Sequence, residues 1–422
     1  MFETLKRKLL PLRQQAEIRN QWLKERLDTL LPELMARTRF DMWLVVAREY
    51  NEDPVIMTLL PEPSMSARRR TILVFYRKPD GTVERLTVSR YGQAGFYEAI
   101  WDPDKEDQFD CLARIIAERD PQSIGLNFST LSAFGDGISH TEYERIWAAL
   151  GETYQPRTCT AEHLAIGWLE RRIPAEMAAY GSIVQMGHRL IAEAFSNHVI
   201  HPGITTTDDV VWWFRQTMHD LGVKAWFQPS VDIQAHGQSF AAFHTHQERR
   251  NVIMPGDLLW CDVGFYYLGL ATDQQQHAYV LRPGETSAPE GLQAALSAAN
   301  RLQDIHNAEM QVGRTGNEVL KAALERAQAE GLQSTIYSHP LGYHGHAAGP
   351  TIGLWDRQGG VPGAGDYHIF DDTAYSVELN NVYAVPEWDG QEVRIALEED
   401  ALLTGGQMQW LDGRQTTLHL IG

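Results

Sequence analysis

The chain has 422 residues, of which 43% are hydrophobic and 22% charged, and its formal net charge is −18. This length predicts about two domains with a large core. The acidic balance argues against a nucleic-acid surface, which needs clustered Lys and Arg. Three scattered cysteines exclude a disulfide framework and favour a reducing cytoplasm. The basic start lacks the apolar stretch of a signal peptide, although a trimmed signal stays open, and no run is long enough to span a membrane.

The predicted elements divide the chain into two α/β (α+β) domains, residues 1–160 and 161–422. The boundary follows Tyr154-Gln155-Pro156-Arg157, after which a connecting helix is predicted at 162–172. Strand and helix signals alternate in the first domain, whereas the second begins with helices. The predicted elements are helices at 1–36, 107–119, 175–200 and 210–221, and strands at 40–46, 71–76, 82–88 and 123–128.

A short pattern recurs in the second domain. Gly203-Ile204-Thr205 followed by Asp208 reappears as Gly313-Arg314-Thr315 followed by Glu318. Glycine followed by a capping residue is common where two helices meet, so chance can produce the repeat. The alternative is that the domain has two related halves with a site between them.

Two aspartates, Asp262 and Asp273, stand in an apolar and aromatic segment that is typical of strands. If the chain reverses near Tyr267 and Leu268, the two aspartates oppose each other across a hairpin and point to one side. Two carboxylates held close repel each other unless a cation lies between them or one takes a proton. The pair therefore predicts either a metal site or the two ends of an ordinary hairpin.

A histidine cluster and two glutamates follow these aspartates. Three histidines lie between residues 339 and 346, among glycines that allow close backbone approach. Glu378 interrupts an apolar strand, where an unpaired charge is costly. Strand alternation places Glu398 opposite the apolar side chains of its strand and would place Glu399 on the apolar face, although an exposed acidic strand end suits Glu399 and Asp400.

Two aspartates, a histidine and two glutamates form a hard, oxygen-rich donor set for two divalent ions. Carboxylate with imidazole suits Mn, Fe, Co or Zn, and the lack of thiolates argues against a structural zinc. Two metals about 3.5–4 Å apart can share a hydroxide nucleophile and polarise a carbonyl. The sequence therefore predicts a hydrolytic centre with two metals.

In order and spacing these residues resemble the pita-bread metallopeptidases, which include aminopeptidase P, prolidase, methionine aminopeptidase and the metal-free creatinase. The resemblance covers the whole chain and implies an N-terminal creatinase-like α/β domain before a pita-bread catalytic domain with pseudo-twofold symmetry. The positions that match the family's motifs are Asp262-Val263-Gly264 with Asp273, then His339, Gly342 and His346, then Glu378 and Glu398.

The resemblance also implies a cofactor, namely two divalent metal ions, with Mn(II) expected foremost and Zn, Co or Fe as alternatives. Asp262 would bind one ion and His339 with Glu378 the other, while Asp273 and Glu398 would bridge them.

Three catalytic residues are implied as well. Glu378 would act as the general base, and His346 would stabilise the tetrahedral oxyanion. His244 resembles the family's substrate-side histidine, and His246 is the alternative for that position.

The implied activity is that of an Xaa-Pro aminopeptidase or prolidase, which cleaves the bond before proline in short peptides through a hydroxide that bridges the metals. No nucleic-acid or membrane partner is expected, and relatives tend to be dimers or larger, which favours a homo-oligomer. The chain departs from the family pattern at Gln274 to His277, Ala347, Leu379 and Ala396, all beside ligands. These departures leave open a metalloenzyme of the same fold that acts on a non-peptide small molecule, or a catalytically inactive binding scaffold.

Overall fold

The computed structural model describes residues 6, 8–93, 95–238 and 250–422. The chain forms two compact units, Pro11–Ile173 and Pro174–Gly422, and the second also takes in the described residues before Pro11. All three cysteines are unpaired. Among the described residues, none of the helices combines the length and apolar composition that crossing a bilayer requires.

The first unit is built on a six-stranded sheet with the order β4-β3-β2-β1-β5-β6. The central strand β1 pairs antiparallel with β2 and parallel with β5, and the predicted hairpin is present as β2 and β3. The strands are β1 (Met42–Arg48), β2 (Arg70–Arg77), β3 (Val83–Thr87), β4 (Glu98–Ala99), β5 (Ile124–Leu126) and β6 (Thr158–Thr160).

Six α-helices accompany this sheet in the part of the chain that the structure describes. The predicted first helix is interrupted by a π-helical turn at Arg26–Leu30, and the predicted connecting helix belongs to this unit. Alternate residues of β1, such as Leu44 and Val46, pack against Ile115 and Ile116 of the helix at Gln108–Arg119 and form the core. The helices are α1 (Leu12–Glu25), α2 (Leu31–Thr38), α3 (Ile56–Leu59), α4 (Gln108–Arg119), α5 (His140–Tyr154) and α6 (Glu162–Glu170).

The second unit contains twelve strands among the described residues. They are β7 (Lys224–Ala225), β8 (Ser230–Gln234), β9 (Leu258–Val263), β10 (Phe265–Tyr267), β11 (Leu270–Ala271), β12 (Gln274–Val280), β13 (Gln333–Ile336), β14 (His339–Leu341), β15 (Thr373–Val385), β16 (Gln391–Thr404), β17 (Gln407–Trp410) and β18 (His419–Ile421). The large sheet has the order β13-β15-β16-β12-β9-β8, with β14 on β15, β17 on β16 and β18 on β12. A small sheet has the order β11-β10-β7.

Helices cover one face of the large sheet. Val393, Ile395 and Leu397 on β16 pack against apolar residues of α9, as alternation in a strand predicts. The opposite face of β16 is thereby free to carry polar groups. The helices of this unit are α7 (Pro174–Ala194), α8 (Thr207–Leu221), α9 (Glu290–Glu309) and α10 (Gly316–Ala329).

The recurring glycine pattern marks two equivalent places in the second unit. Gly203 and Gly313 have φ values of 84° and 90°, a conformation that favours glycine. Their N–H groups donate to the carbonyls of Ile253 and Ile369, at 2.7 and 2.9 Å. The repeat is therefore structural.

The capping residues of this repeat are offset by one position from the predicted alignment. Thr206 and Thr315 both form capping boxes, at the starts of α8 and α10. The sequence pattern pairs Thr205 with Thr315, but Thr206 is the residue that caps α8. The first copy therefore has one more residue than the second between its glycine and its capping threonine. The residue that caps is determined by where the helix begins and not by the distance from the glycine.

Candidate metal centre

Four side chains line up across four neighbouring strands of the large sheet. Asp262 on β9 lies opposite Gln275 on β12. Gln275 also lies opposite Glu398 on β16, which lies opposite Glu378 on β15. Because residues in register on neighbouring strands point to the same side, these four side chains form one row, the first row, on the face opposite the helices.

A second row lies next to the first. His339 on β14 lies opposite Ser376 on β15, which lies opposite Asp400 on β16. The backbone N–H of Asp273 donates to the Asp400 carboxylate, with both oxygens at 3.3 Å. Both rows share a face because Ser376 and Asp400 stand two positions from the glutamates of the first row. Sheet register thus brings His339 beside the first row, and the hydrogen bond to Asp400 brings Asp273 there.

The predicted hairpin is present, but its register differs from the predicted one. The chain reverses at Leu268 and Gly269, with φ values of 53° and 82°. This tight turn leaves Asp262 opposite Gln275, two residues beyond Asp273. The two aspartates share a face as predicted, but they are diagonal neighbours and not an opposed pair.

The five predicted ligands converge on one site. His339 Nε2 lies 3.6 Å from Asp273 Oδ2 and 3.4 Å from Glu398 Oε1. It lies 4.0 Å from Glu378 Oε2. Two groups of three donor atoms, each group within 4.8 Å, share Glu398: one adds Asp262 and Asp273, the other His339 and Glu378. Two triplets with a common carboxylate are the arrangement that a pair of metal ions needs.

The site concentrates negative charge in a buried place. Asp273 is 3% exposed and Glu398 is 1% exposed. Burial, followed by the negative charge of Glu398, raises the pKa values of Asp262, Asp273 and Glu378 well above their usual range. Such a cluster is neutralised either by protons or by a cation, and a divalent ion at each triplet would do so with the carboxylates ionised.

Unsatisfied polar atoms provide a direct test of whether metal ions fit. Asp262 Oδ1, Asp273 Oδ1 and His339 Nε2 are buried and have no hydrogen-bond partner among the described residues. His339 Nδ1 lies 3.0 Å from the carbonyl of Pro340, so Nδ1 carries the proton and Nε2 keeps its lone pair. Buried polar atoms normally have a partner, and oxygen and imidazole donors together suit a divalent transition metal. The donor set fits the predicted ions.

Gln275 completes the first row and was not among the predicted site residues. Its amide nitrogen donates to Glu378 Oε1 at 2.9 Å and to Glu398 Oε2 at 2.6 Å. Its amide oxygen accepts from the indole nitrogen of Trp260 at 3.0 Å. The amide therefore fixes the orientation of both glutamates. The sequence signal for it was its position two residues after Asp273, since alternate residues of a strand share a face.

His346 lies at the edge of the site. Its ring centroid is 4.6 Å from that of His339, and its Nε2 is 3.4 Å from the hydroxyl of Tyr337. The centroid of the Trp226 ring lies 5.2 Å away. Asp273, His339 and His346 form a third group of donor atoms within 4.8 Å. Tyr337 and Trp226 were not predicted. His244 and His246 lie outside the described residues.

Trp226 explains why a glycine stands two positions after Asp262. A Cβ atom on Gly264 would lie 2.2 Å from the indole nitrogen of Trp226, and one on Gly345 would lie 2.2 Å from the ring. The indole nitrogen donates to the carbonyl of Thr272 at 2.9 Å. Two glycines thus leave the space for an indole beside the candidate centre, and the ring forms a wall next to His346.

Glu399 is buried on the helix-covered face, which corrects the prediction of an exposed strand end. Its Oε2 lies 2.6 Å from His188 Nε2, and Oε1 accepts from Gln276 at 2.9 Å. His188 Nδ1 lies 2.9 Å from Asp412 Oδ2. Asp400 is buried too, on the face of the predicted metal ligands. Hydrogen bonds within the protein offset the cost of burying Glu399.

A profile of metallopeptidase family M24 matches residues 176–404, more than half of the chain. The chain belongs to metallopeptidase family M24. The matched segment contains all five residues of the two triplets. No curated protein matches the sequence significantly. The predicted family and the prediction of a metallopeptidase are confirmed.

Solved structures of similar fold cover almost the whole M24 chain. The X-Pro aminopeptidase from Thermotoga maritima has a TM-score of 0.65 at 16% identity, over 92% of this chain and 99% of its own. The Xaa-Pro dipeptidase from Bacillus anthracis has a TM-score of 0.62 at 16% identity, over 96% and 99%. The prolidase from Pyrococcus furiosus has a TM-score of 0.56 at 14% identity, over 91% and 99%. The predicted fold class is confirmed.

Proposed function

We propose that this M24 chain is a dinuclear metal-dependent peptidase that hydrolyses the bond before proline in short peptides. The observation that carries the proposal is the pair of donor triplets that share Glu398. The proline preference is supported by the names of proteins with the same fold, since an X-Pro aminopeptidase and an Xaa-Pro dipeptidase are among them.

Five residues would hold the two ions. When bound, the ions lower the pKa of a water molecule and polarise the carbonyl of the bond to be cleaved. We assign Asp262 to one ion, His339 and Glu378 to the other, and Asp273 and Glu398 to both. The unsatisfied atoms of Asp262, Asp273 and His339 support this assignment.

We assign proton transfer to Glu378. Its Oε1 accepts from Gln275, whereas Oε2 faces His339 Nε2 at 4.0 Å and is the oxygen directed into the site. A carboxylate with one oxygen directed into the site can accept a proton there, as a general base must. Glu378 would therefore take a proton from the attacking water and pass it to the leaving amine.

We assign stabilisation of the oxyanion to His346. Its imidazole lies beside His339 and is close to the Tyr337 hydroxyl, so its donor atom can turn toward a carbonyl bound at the ions. Trp226 packs against the same ring and would limit the access of water on that side. The substrate-side position remains assigned to His244, with His246 as the alternative.

A second candidate function is hydrolysis of a non-peptide small molecule by the same centre. The observation that favours it is the departure of residues 274–277 from the family pattern. One of these residues, Gln275, donates hydrogen bonds to both Glu378 and Glu398. His277 is buried, and burial lowers its pKa to about 4, so the ring is neutral. These side chains change the surroundings of the ligands and leave the ligands themselves in place.

The experiment that separates these functions is an assay of the metal-reconstituted protein. The chain is stripped of metal, reloaded with Mn(II), and tested on Xaa-Pro dipeptides, Xaa-Pro-Yaa tripeptides, matched Xaa-Ala peptides and small amides. We expect turnover of the proline peptides at least about tenfold above the alanine peptides, a difference of about 1.4 kcal/mol in transition-state binding. Turnover of amides without turnover of either peptide series would favour the second candidate.

The remaining assignments extend the proposal. We propose Mn(II) as the metal, with Zn, Co and Fe as alternatives, because all suit a carboxylate and imidazole donor set. We propose a homo-oligomer, a cytoplasmic location and a functional division at residue 160. Elemental analysis of protein purified from its own cells and light scattering of that protein test the metal and the oligomer.

A further inference from the structure

The first unit contains a cavity of about 610 Å³ that is far more basic than the chain as a whole. Arg68, Arg69, Arg70 and Arg90 all line it. Among the described residues that line it, none is acidic. The chain has 55 acidic and 37 basic residues, so a stretch of ordinary solvated surface would carry negative charge. Four arginines without an acid therefore need a specific explanation.

Most of this positive charge is not balanced within the protein. Arg70 pairs with Glu142, whose oxygen lies 2.7 Å from the guanidinium nitrogen. The side chains of Arg68, Arg69 and Arg90 have no carboxylate within 4 Å in the described part of the chain, and all three are exposed. Like charges gathered in one concave place repel each other and strengthen the local field, which attracts an anion.

Neutral polar groups in the same cavity are also unsatisfied. Ser89 Oγ and Gln93 Oε1 are buried and have no hydrogen-bond partner among the described residues. The hydroxyl of Ser89 can donate to an anion, and the amide oxygen of Gln93 can accept from a hydroxyl of a ligand. Trp101 forms part of the wall, and its indole nitrogen is held by the carbonyl of Glu106 at 2.9 Å. Ser89 and Gln93 line the cavity, and their unsatisfied atoms are independent of the arginines.

We propose that this cavity binds a small polyanion that also carries a hydroxyl group. The volume lies within the range of about 300–1,000 Å³ that small-molecule sites occupy. Guanidinium groups bind phosphate and carboxylate groups in the same forked geometry, so a sugar phosphate and a hydroxy-polycarboxylate are the two sources of this chemistry. The cavity belongs to the first unit, whereas the residues proposed to hold the metal ions belong to the second.

Calorimetric titration of the metal-loaded full chain at physiological salt tests the proposal with two probes, fructose 1,6-bisphosphate and citrate. We expect saturable binding of at least one probe, and the stronger probe identifies phosphate or carboxylate as the preferred group. Arg68→Ala/Arg90→Ala should weaken binding by about tenfold or more, because two charged hydrogen-bond donors are lost. Ser89→Ala, which leaves the charge unchanged, should weaken it by about fivefold.

The matched control is Arg13→Ala/Arg357→Ala, which removes two exposed arginines from other places and should change binding by less than about twofold. Peptidase activity and metal content should stay unchanged in all these variants, and circular dichroism verifies that each is folded. If the double arginine variant does not fold, the effect of Ser89→Ala on probe binding tests the proposal. The proposal is overturned if neither probe gives saturable heat, if the control loses as much affinity as the cavity variant, or if Ser89→Ala has no effect.

Discussion

Glu398 and Glu399 are neighbours on β16, both are almost fully buried, and their surroundings are opposite in kind. Glu398 faces the carboxylates of Asp262, Asp273 and Glu378, together with His339. Glu399, on the helix-covered face, is 2.6 Å from His188. One acid therefore lies among other carboxylates, and the other lies in a hydrogen-bonded network with a histidine.

The comparison shows that burial of an acid does not identify a metal ligand. What distinguishes the two faces is the set of partners: unsatisfied donor atoms on one, and complete hydrogen bonding of Glu399 to His188, Gln276 and the backbone N–H of Gln415 on the other. Strand alternation separates the two environments by a single residue. Substitutions on one face should therefore change metal binding and catalysis, and substitutions on the other should change stability.

The largest expected effect is on catalysis. Glu378→Gln should lower kcat/KM of the metal-loaded protein by about 10²–10⁴-fold, because an amide cannot accept the proton of the attacking water. Its thermal stability should change little. Steady-state kinetics on an Xaa-Pro peptide measure the effect, with Glu392→Gln, an exposed acid on β16, as the control. Full activity in Glu378→Gln would remove this residue from the mechanism.

The next effect is on stability. His188→Ala should lower the free energy of unfolding by about 3–5 kcal/mol, since Glu399 would remain buried without its cation. Denaturant unfolding measures this loss, and His201→Ala, at an exposed histidine, should cost little. Metal stoichiometry should stay as in the wild type. A variant as stable as the wild type would show that His188 is not what balances Glu399.

Two adjacent glutamines allow a matched comparison of the faces. Gln275→Ala should weaken Mn(II) binding by about 10–100-fold, because both glutamates lose the donor that orients them. Gln276→Ala removes a hydrogen bond to Glu399 and should cost about 1 kcal/mol of stability, with Mn(II) affinity unchanged. Metal titration followed calorimetrically measures both. The comparison fails if the two variants lose affinity equally.

The smallest effect is a dependence of stability on pH. Burial disfavours the charged imidazole of His188, but the hydrogen bonds and charges of Glu399 and Asp412 outweigh it and raise the pKa of His188 to about 9. Because the folded pKa lies above the unfolded value of about 6.5, the stabilisation is complete below that pH and is lost as pH rises through 9. The melting temperature of the wild type should therefore fall between pH 7 and 9.5. In His188→Gln this fall should be smaller, and an equal fall in both proteins would contradict the assignment.

The sequence predicted which residues come together better than it predicted the geometry that holds them. Spacing and residue type singled out five residues that lie close together in the structure, namely four acids in or beside apolar segments, where a charge needs a partner, and one histidine from a histidine cluster. The prediction that Asp262 and Asp273 lie opposite each other was wrong by two residues. The register of the hairpin depends on where the chain turns, which is at Leu268 and Gly269.

Residues that act through long-range pairing were beyond the reach of the sequence. The position of Gln275 two residues after Asp273 indicates its face, but its contacts with both glutamates require β12 to lie between β9 and β16. Glu399 was predicted to be exposed because its partner His188 lies 211 positions away, on α7. The alternation of polar residues in a strand predicts which face of the sheet each side chain occupies. It does not predict which residue of another element the side chain contacts, and that contact determines whether the side chain is exposed or part of a buried network.

The central claim is that the face of Glu398 holds two divalent ions and the face of Glu399 holds none. Equilibrium dialysis against Mn(II), followed by elemental analysis, tests it on the wild type, Glu398→Gln and Glu399→Gln. We predict two ions per chain in the wild type and in Glu399→Gln, and fewer than two in Glu398→Gln. A wild type that binds no Mn(II), or an equal loss in both variants, would contradict the claim.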